Sequence, residues 1–185
     1  NAGTNVIFPN GTVYRISEAK TLQPYTSAGA FLSYRFNSWA GVVAANATDL
    51  TQAVSAFIPP RDGSLINDKG TIYLITSGDR AGFVNEATFK NFGYSYNNVS
   101  AGDTSFLPTV GPLRFAEQVH HNGTLINDNG TFYVMKFQQR WGFPSPEVLS
   151  SWGYSFSDAV MANSFDRQAE FGGLIQTRLA NQLRI

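Results

Sequence analysis

A β-branched and aromatic run, Thr71-Ile72-Tyr73-Leu74-Ile75-Thr76, stands between two sets of turn residues. It reads as a strand. Asp68, Lys69 and Gly70 before it form a tight turn in which glycine supplies a positive φ, and Leu65 and Ile66 form the strand preceding that turn. Ser77, Gly78 and Asp79 turn the chain again, and residues 80–84 read as a third short strand. Asn85 then sits where a helix N-cap belongs, with Glu86 in the first turn. The pattern predicts a short helix through Phe89 to a stop at Gly93. Tyr94 and Tyr96 alternate in an extended exit that ends at Val99.

The same order of apolar and polar positions returns twice. Residues 123–159 repeat residues 63–99 closely, with the turn at Asp128-Asn129-Gly130, the strand at Phe132-Tyr133-Val134-Met135 and a helix start at Ser145-Pro146-Glu147. Ser as N-cap with Pro at the first helical position sharpens that start. Residues 6–42 carry a looser version with two single-residue insertions. Gly11, Gly70 and Gly130 are equivalent, in steps of 59 and 60 residues. A fixed period dictates architecture before any other reading. The expected fold is α+β: three tandem copies of a β-meander plus a short helix, packed into one compact domain spanning 1–185. The copies occupy 6–60, 61–114 and 122–168. Residues 100–121 read as a linker. Ile175, Leu179 and Leu183 recur every fourth residue in the remainder, 169–185, and predict a C-terminal helical tail. A closed pseudo-threefold β-barrel is the alternative arrangement. Positions that stay aromatic across copies read as core: Tyr14, Tyr73 and Tyr133; Tyr25, Phe83 and Phe143; Phe36, Tyr94 and Tyr154.

Composition narrows the function classes. Charged residues are 14%, and 13 basic side chains balance 13 acidic ones. A neutral chain lacks the electrostatic drive for non-specific nucleic-acid binding and for a polybasic membrane contact. It contains no cysteine, which removes disulfides, thiolate metal sites and a Cys nucleophile. No apolar run has the ~18 residues of a membrane span. The chain opens on Asn1 without a visible signal peptide, as after removal of a leader or from a longer precursor. Scarce Lys and abundant Asn, Ser, Thr and aromatics lean toward an exported protein. Five Asn-x-Ser/Thr sequons occur, at Asn10, Asn46, Asn98, Asn122 and Asn129, where chance gives about 2.4. Three are Asn-Gly-Thr, a sequence that hairpin turns select by themselves.

These residues resemble tandem aromatic-rich repeats of about 60 residues found in exported bacterial cell-surface proteins. The shared pattern is G-[ST]-L-I, a short turn, Y-[LV]-I, a basic pair, F-x-[SN], then G-Y-x-[WYF]-x-x-V. The resemblance implies an accessory binding or structural module outside the cell or on its surface. The chain departs at the basic pair, where Arg80 and Arg140 keep one basic residue each.

Catalytic signatures are sparse. His120 and His121 are adjacent and lack metal-ligand spacing, so they read as solvated linker histidines. Asp68 and Asp128 read as hairpin turn residues. No metal, cofactor or catalytic residue is expected, and the chain reads as a non-enzyme. Trp141 stands opposite Ala81 and Gln23, aromatic in one copy only. With Gln138, Gln139 and Arg140 it forms a candidate ligand-binding surface, an aromatic at the core's edge with a polar rim, suited to a sugar ring. The first functional reading is a non-catalytic module that binds a surface glycan or wall polymer. The second is a self-assembling structural subunit of a surface layer or filament that uses Ile175, Leu179 and Leu183. A secreted hydrolase with a scattered site is the third.

Overall fold

Strand-forming runs close on one another through short turns to give three separate sheets. In this computed structural model residues 1–114 and 118–185 are described, and among them the fold is a mixed α+β arrangement of three sheets with four short helices. The first sheet joins β1 (Asn5–Ile7), β2 (Val13–Ile16), β3 (Leu22–Pro24) and β4 (Val43–Ala44) in the order β3-β2-β1-β4. The second joins β5 (Leu65–Asp68), β6 (Thr71–Thr76), β7 (Asp79–Gly82) and β8 (Val99–Ala101) in the order β7-β6-β5-β8. The third joins β9 (Leu125–Asp128), β10 (Thr131–Lys136), β11 (Gln139–Gly142), β12 (Val160–Met161) and β13 (Phe171–Leu174) in the order β12-β9-β10-β11-β13. Each sheet is an antiparallel meander whose first strand is flanked by a parallel return strand. Among the described residues the three sheets are separate and none closes into a barrel.

A parallel return needs a crossover, and a six-residue helix supplies it each time: α1 (Ala28–Ser33), α2 (Glu86–Asn91) and α3 (Pro146–Ser151). Their N-caps are Ser27, Asn85 and Ser145, whose side chains accept from the backbone N–H of Ala30, Thr88 and Val148. The exits expected to be extended contain a 3-10 turn instead, at Trp39–Gly41, Tyr96–Asn98 and Phe156–Asp158. Ser38, Ser95 and Ser155 accept from the N–H two residues on and initiate those turns. A fourth helix, α4 (Ser164–Gln168), follows β12.

The two expected hairpin turns are tight. Lys69 and Gly70 have φ of 53° and 93°, and Asn129 and Gly130 have 51° and 91°, the left-handed pair that a right-twisted hairpin needs. A Cβ on Gly70 or Gly130 would meet nothing within 4 Å. The cost of Gly70→Val or Gly130→Val is therefore conformational alone, about 1–3 kcal/mol each. Thermal melting checks this, and an unchanged Tm in both would contradict the turn geometry.

The chain packs as two compact units, residues 1–60 with 178–185 and residues 61–177. The first buries Tyr25, Phe31, Tyr34 and Ile58 in one cluster and Val6, Ile16 and Leu22 in another. In the second, one cluster runs through both sheets, from Leu65, Leu74, Phe89 and Phe92 to Ile126, Met135 and Val160. Each such side chain contributes about 1.5–3 kcal/mol by burial. Tyr25, Tyr94, Phe143 and Tyr154 are buried as expected of core. Tyr14, Phe36, Tyr73, Phe83 and Tyr133 are only half-buried. Arg80 and Arg140 lie over the Tyr73 and Tyr133 rings at 4.8 and 5.2 Å.

The helical tail is not formed. Gly172 and Gly173 disfavour a helix, and β13 pairs parallel with β11 there. Ile175 is buried, its N–H donating to the Gly142 carbonyl at 2.8 Å. Beyond it the chain is irregular. Leu179 is 61% exposed, and Leu183 packs on the Tyr25–Phe31–Tyr34 cluster. The three residues share no face. Residues 115–117 of the expected linker lie outside the described residues. Among the described residues no helix is long and apolar enough to cross a membrane.

Candidate binding cleft

The β10–β11 hairpin carries Phe137 and Gln138 in its turn, at φ of 51° and 63°. Neither residue tolerates the left-handed region well, and such positions cost on the order of 1–3 kcal/mol each. The matching turn between β6 and β7 holds Ser77 and Gly78 at 54° and 82°, where glycine removes half the strain. The Asn122 side chain braces the strained turn: it accepts from the Phe137 N–H at 2.7 Å and donates to Ser77 Oγ at 2.9 Å. Phe137 is 71% exposed on this braced backbone, with the Lys136 ammonium 5.4 Å from its ring centroid.

Phe137 and Gln138 edge a cleft of about 660 Å³, which Thr76, Ser77, Gln118, His121, Asn122 and Phe165 also line. Gln118 Nε2 and His121 Nε2 are 3.3 Å apart. Burial, followed by the nearby charge of His120, pushes the His121 imidazole below its usual range. At neutral pH His121 therefore offers one donor and one acceptor. The described lining contains no Lys, Arg, Asp or Glu. It presents amides, hydroxyls and aromatic surface.

His120 closes the floor and is not the solvated residue its position in a linker suggests. It is 3% exposed, and Asp166 is wholly buried beside it. His120 Nδ1 lies 2.7 Å from Asp166 Oδ2, and its Nε2 lies 2.8 Å from the Phe92 carbonyl. A carbonyl only accepts, so Nε2 carries a proton. The Nδ1 contact has charge-assisted length. Asp166 also accepts from the backbone N–H of His120 and of Asn163, at 2.8 and 2.9 Å. Burial by itself would raise the Asp166 carboxyl. The His120 side-chain hydrogen bond and charge, with these backbone donors, outweigh it and hold the carboxyl below its usual range. Both ring nitrogens are engaged, so neither is free to activate a nucleophile. The pair fastens the end of α2, the chain before β9 and the start of α4.

The four residues expected to bind ligand do not converge. Only Gln138 reaches the cleft. Gln139 Nε2 donates to Glu170 at 3.3 Å. Arg140 lies over Tyr133, 3.7 Å from the Asp128 carboxylate, and donates to the Ala169 carbonyl. Arg80 forms the counterpart in the second sheet: it donates to Thr104 and Thr109 and lies 3.5 Å from Asp68, whose carboxylate also accepts from the Thr104 N–H and hydroxyl. Those two hydrogen bonds hold the Asp68 carboxyl below its usual range. The paired acids and arginines are thus internal clamps at the sheet edges. Trp141 is not an open platform. Gly172 and Gly173 of β13 pass directly over its indole, and a Cβ at Gly172 would collide with that ring. Its indole N–H is buried without an acceptor.

The sequons divide as well. Asn10, Asn46 and Asn129 are exposed and Asn98 and Asn122 partly buried, and the amide nitrogens of Asn98, Asn122 and Asn129 donate to Ser157, Ser77 and Asp128. Among the described residues no group of three or more His, Asp or Glu is placed to hold a metal ion.

Sequence reasoning missed Phe137 and the His120–Asp166 pair. A signal for Phe137 existed, since Phe137-Gln138 stands where the second hairpin has Ser77-Gly78. His120 and Asp166 are 46 positions apart, and nothing local announces their contact.

No family model and no curated protein matches the chain. Among solved structures it is similar to the periplasmic assembly from the ESX-5 inner membrane complex, at 11% identity and a TM-score of 0.25 over 95% of this chain. It is also similar to an intact ESX-5 inner membrane complex, at 11% identity and a TM-score of 0.24 over 97% of this chain. The chain spans 63% and 52% of those two chains respectively.

Proposed function

We propose that the three sheets with their crossover helices are tandem copies of one unit, and that the chain is a non-catalytic extracellular module that binds a neutral surface glycan or wall polymer. The supporting observation is Phe137: an aromatic held 71% exposed by a strained, braced turn at the mouth of a cleft. Strain maintained against a cheaper alternative marks a functional position, and the Ser77-Gly78 turn is that alternative. Sugar rings stack on flat aromatic faces while their hydroxyls bond to amides such as Gln118, Asn122 and Gln138. Among the described lining residues none is charged, with the Lys136 ammonium 5.4 Å from the Phe137 ring centroid, and that lining favours a neutral polymer.

Phe137→Gly separates binding from stability. It should raise stability by about 1 kcal/mol through relief of the turn, and weaken polymer binding by about tenfold to a hundredfold. Co-sedimentation with purified cell-wall sacculi, chitin and cellulose, alongside melting, checks both. Undiminished co-sedimentation by the variant, or no sedimentation by the unaltered protein, would sink this reading.

A second reading, self-association, is favoured by Trp39, Tyr96 and Phe156. They occupy matching 3-10 turns and are each about half-exposed, at 50%, 49% and 51%.

A further inference from the structure

The strap formed by residues 178–185 packs within the first unit. Its contacts repeat those by which the second and third sheets' segments meet in the other unit. There, Arg61 lies over the Tyr154 ring at 4.1 Å and donates to the Trp152 carbonyl. Two residues on, Gly63 approaches Gly123 so closely that a Cβ on either would collide with the other's backbone segment. In the first unit, Arg178 lies over the Phe36 ring at 3.7 Å, and Phe36 is the position equivalent to Tyr154. Two residues on, Ala180 presents its carbonyl to Gly3, where a Cβ would again collide. Gly3, Gly63 and Gly123 are equivalent: φ is 87°, 84° and 86°, and each N–H donates across its meander, to Ile16, Ile75 and Met135.

The sequence follows the same register. Ile58, three residues before Arg61, donates its N–H to the Pro24 carbonyl at the end of β3. Ile175, three residues before Arg178, donates to the Gly142 carbonyl at the end of β11. Residues 178–185 thus match the entry segment of the same unit. Its seat is built for main-chain recognition. Arg15, 3% exposed, donates to the Gly3, Ala180 and Gln182 carbonyls at 3.0, 2.9 and 3.3 Å. Glu18 accepts from Asn181 at 2.6 Å, Arg184 donates to the Tyr34 hydroxyl, and Leu183 fills the apolar cluster.

We infer that this face of the first unit is a docking site for entry segments of the repeat, and that it accepts residues 178–185 from a second copy of the chain. Exchange of an identical element between molecules creates no new contact and joins them head to tail or in closed pairs. None of these residues lines the Phe137 cleft, so the inference does not depend on polymer binding.

The test uses the full chain and a synthetic peptide of residues 174–185. Light scattering should show masses above the 20.2 kDa monomer as concentration rises, and excess peptide should return them to the monomer mass. A full-length variant with Arg178→Ala and Leu183→Ala keeps the seat and weakens its own strap. It should bind labelled peptide at least tenfold more tightly than the unaltered chain, and a scrambled peptide should not bind. Monomer mass at every concentration together with no peptide binding would overturn the inference. So would assemblies that excess peptide leaves intact. If the double variant does not fold, peptide reversal of the unaltered chain's assembly still decides.

Discussion

His120→Ala lowers the stability of the 61–177 unit by about 3–5 kcal/mol. The ring it removes serves two buried acceptors, the Asp166 carboxylate and the Phe92 carbonyl. Breaking a buried ion pair from one side leaves an uncompensated charge, which costs far more than the intact pair contributes. The His120 N–H survives the substitution, so Asp166 keeps its backbone donors and loses its charged one. Asp166→Asn tests the other side and should cost a similar amount. Its pH profile gives the sharper check. A carboxyl whose folded pKa is depressed stabilises the fold at pH above its unfolded value, near 3.9, and that contribution is lost as pH falls through the folded value. The unaltered unit should therefore lose stability more steeply than Asp166→Asn below about pH 4. Parallel acid-denaturation curves would show that Asp166 is not held as an ion pair.

Gly63→Val and Gly123→Val should each cost about 3–5 kcal/mol, well above Gly70→Val. All three positions have left-handed φ, which sets a common strain of about 1–3 kcal/mol. The difference lies in what a Cβ meets. At Gly70 it meets nothing, whereas at Gly63 and Gly123 it meets backbone. Backbone in two paired segments cannot move aside as a side-chain tip can, so overpacking adds a further ~1–3 kcal/mol. Denaturant melts of the three variants compare the terms directly. Equal midpoints for Gly63→Val and Gly70→Val would mean the two segments do not approach closely.

Local grammar was legible and long-range pairing was not. The turns at Gly70 and Gly130, the caps at Asn85 and Ser145 and the meander order all follow from neighbours in sequence, and the structure has each of them. The tail failed because a four-residue spacing of Ile175, Leu179 and Leu183 looks helical in isolation. Gly172 and Gly173, and the open edge of β11, decided otherwise. Trp141 failed for a related reason. Its novelty among the copies was real, but its partner is the glycine pair of β13, thirty-one and thirty-two residues away. Arg80 and Arg140 each keep one residue of the pattern's basic pair, and each is held by a turn acid and a downstream segment. His120 looked solvated because its carboxylate partner lies across a whole meander. In each case the deciding contact joins residues that sequence spacing cannot connect.

The central claim, that a neutral polymer binds beside Phe137, is tested most directly by backbone amide NMR. The 15N-labelled chain is titrated with soluble fragments of chitin, cellulose and peptidoglycan. The account predicts saturable shifts from at least one of them, concentrated at Gln118, His121, Asn122, Phe137 and Gln138 and absent from Trp141, Arg80 and Arg140. No shift with any fragment, or shifts centred on Trp141 and the arginine clamps, would contradict it.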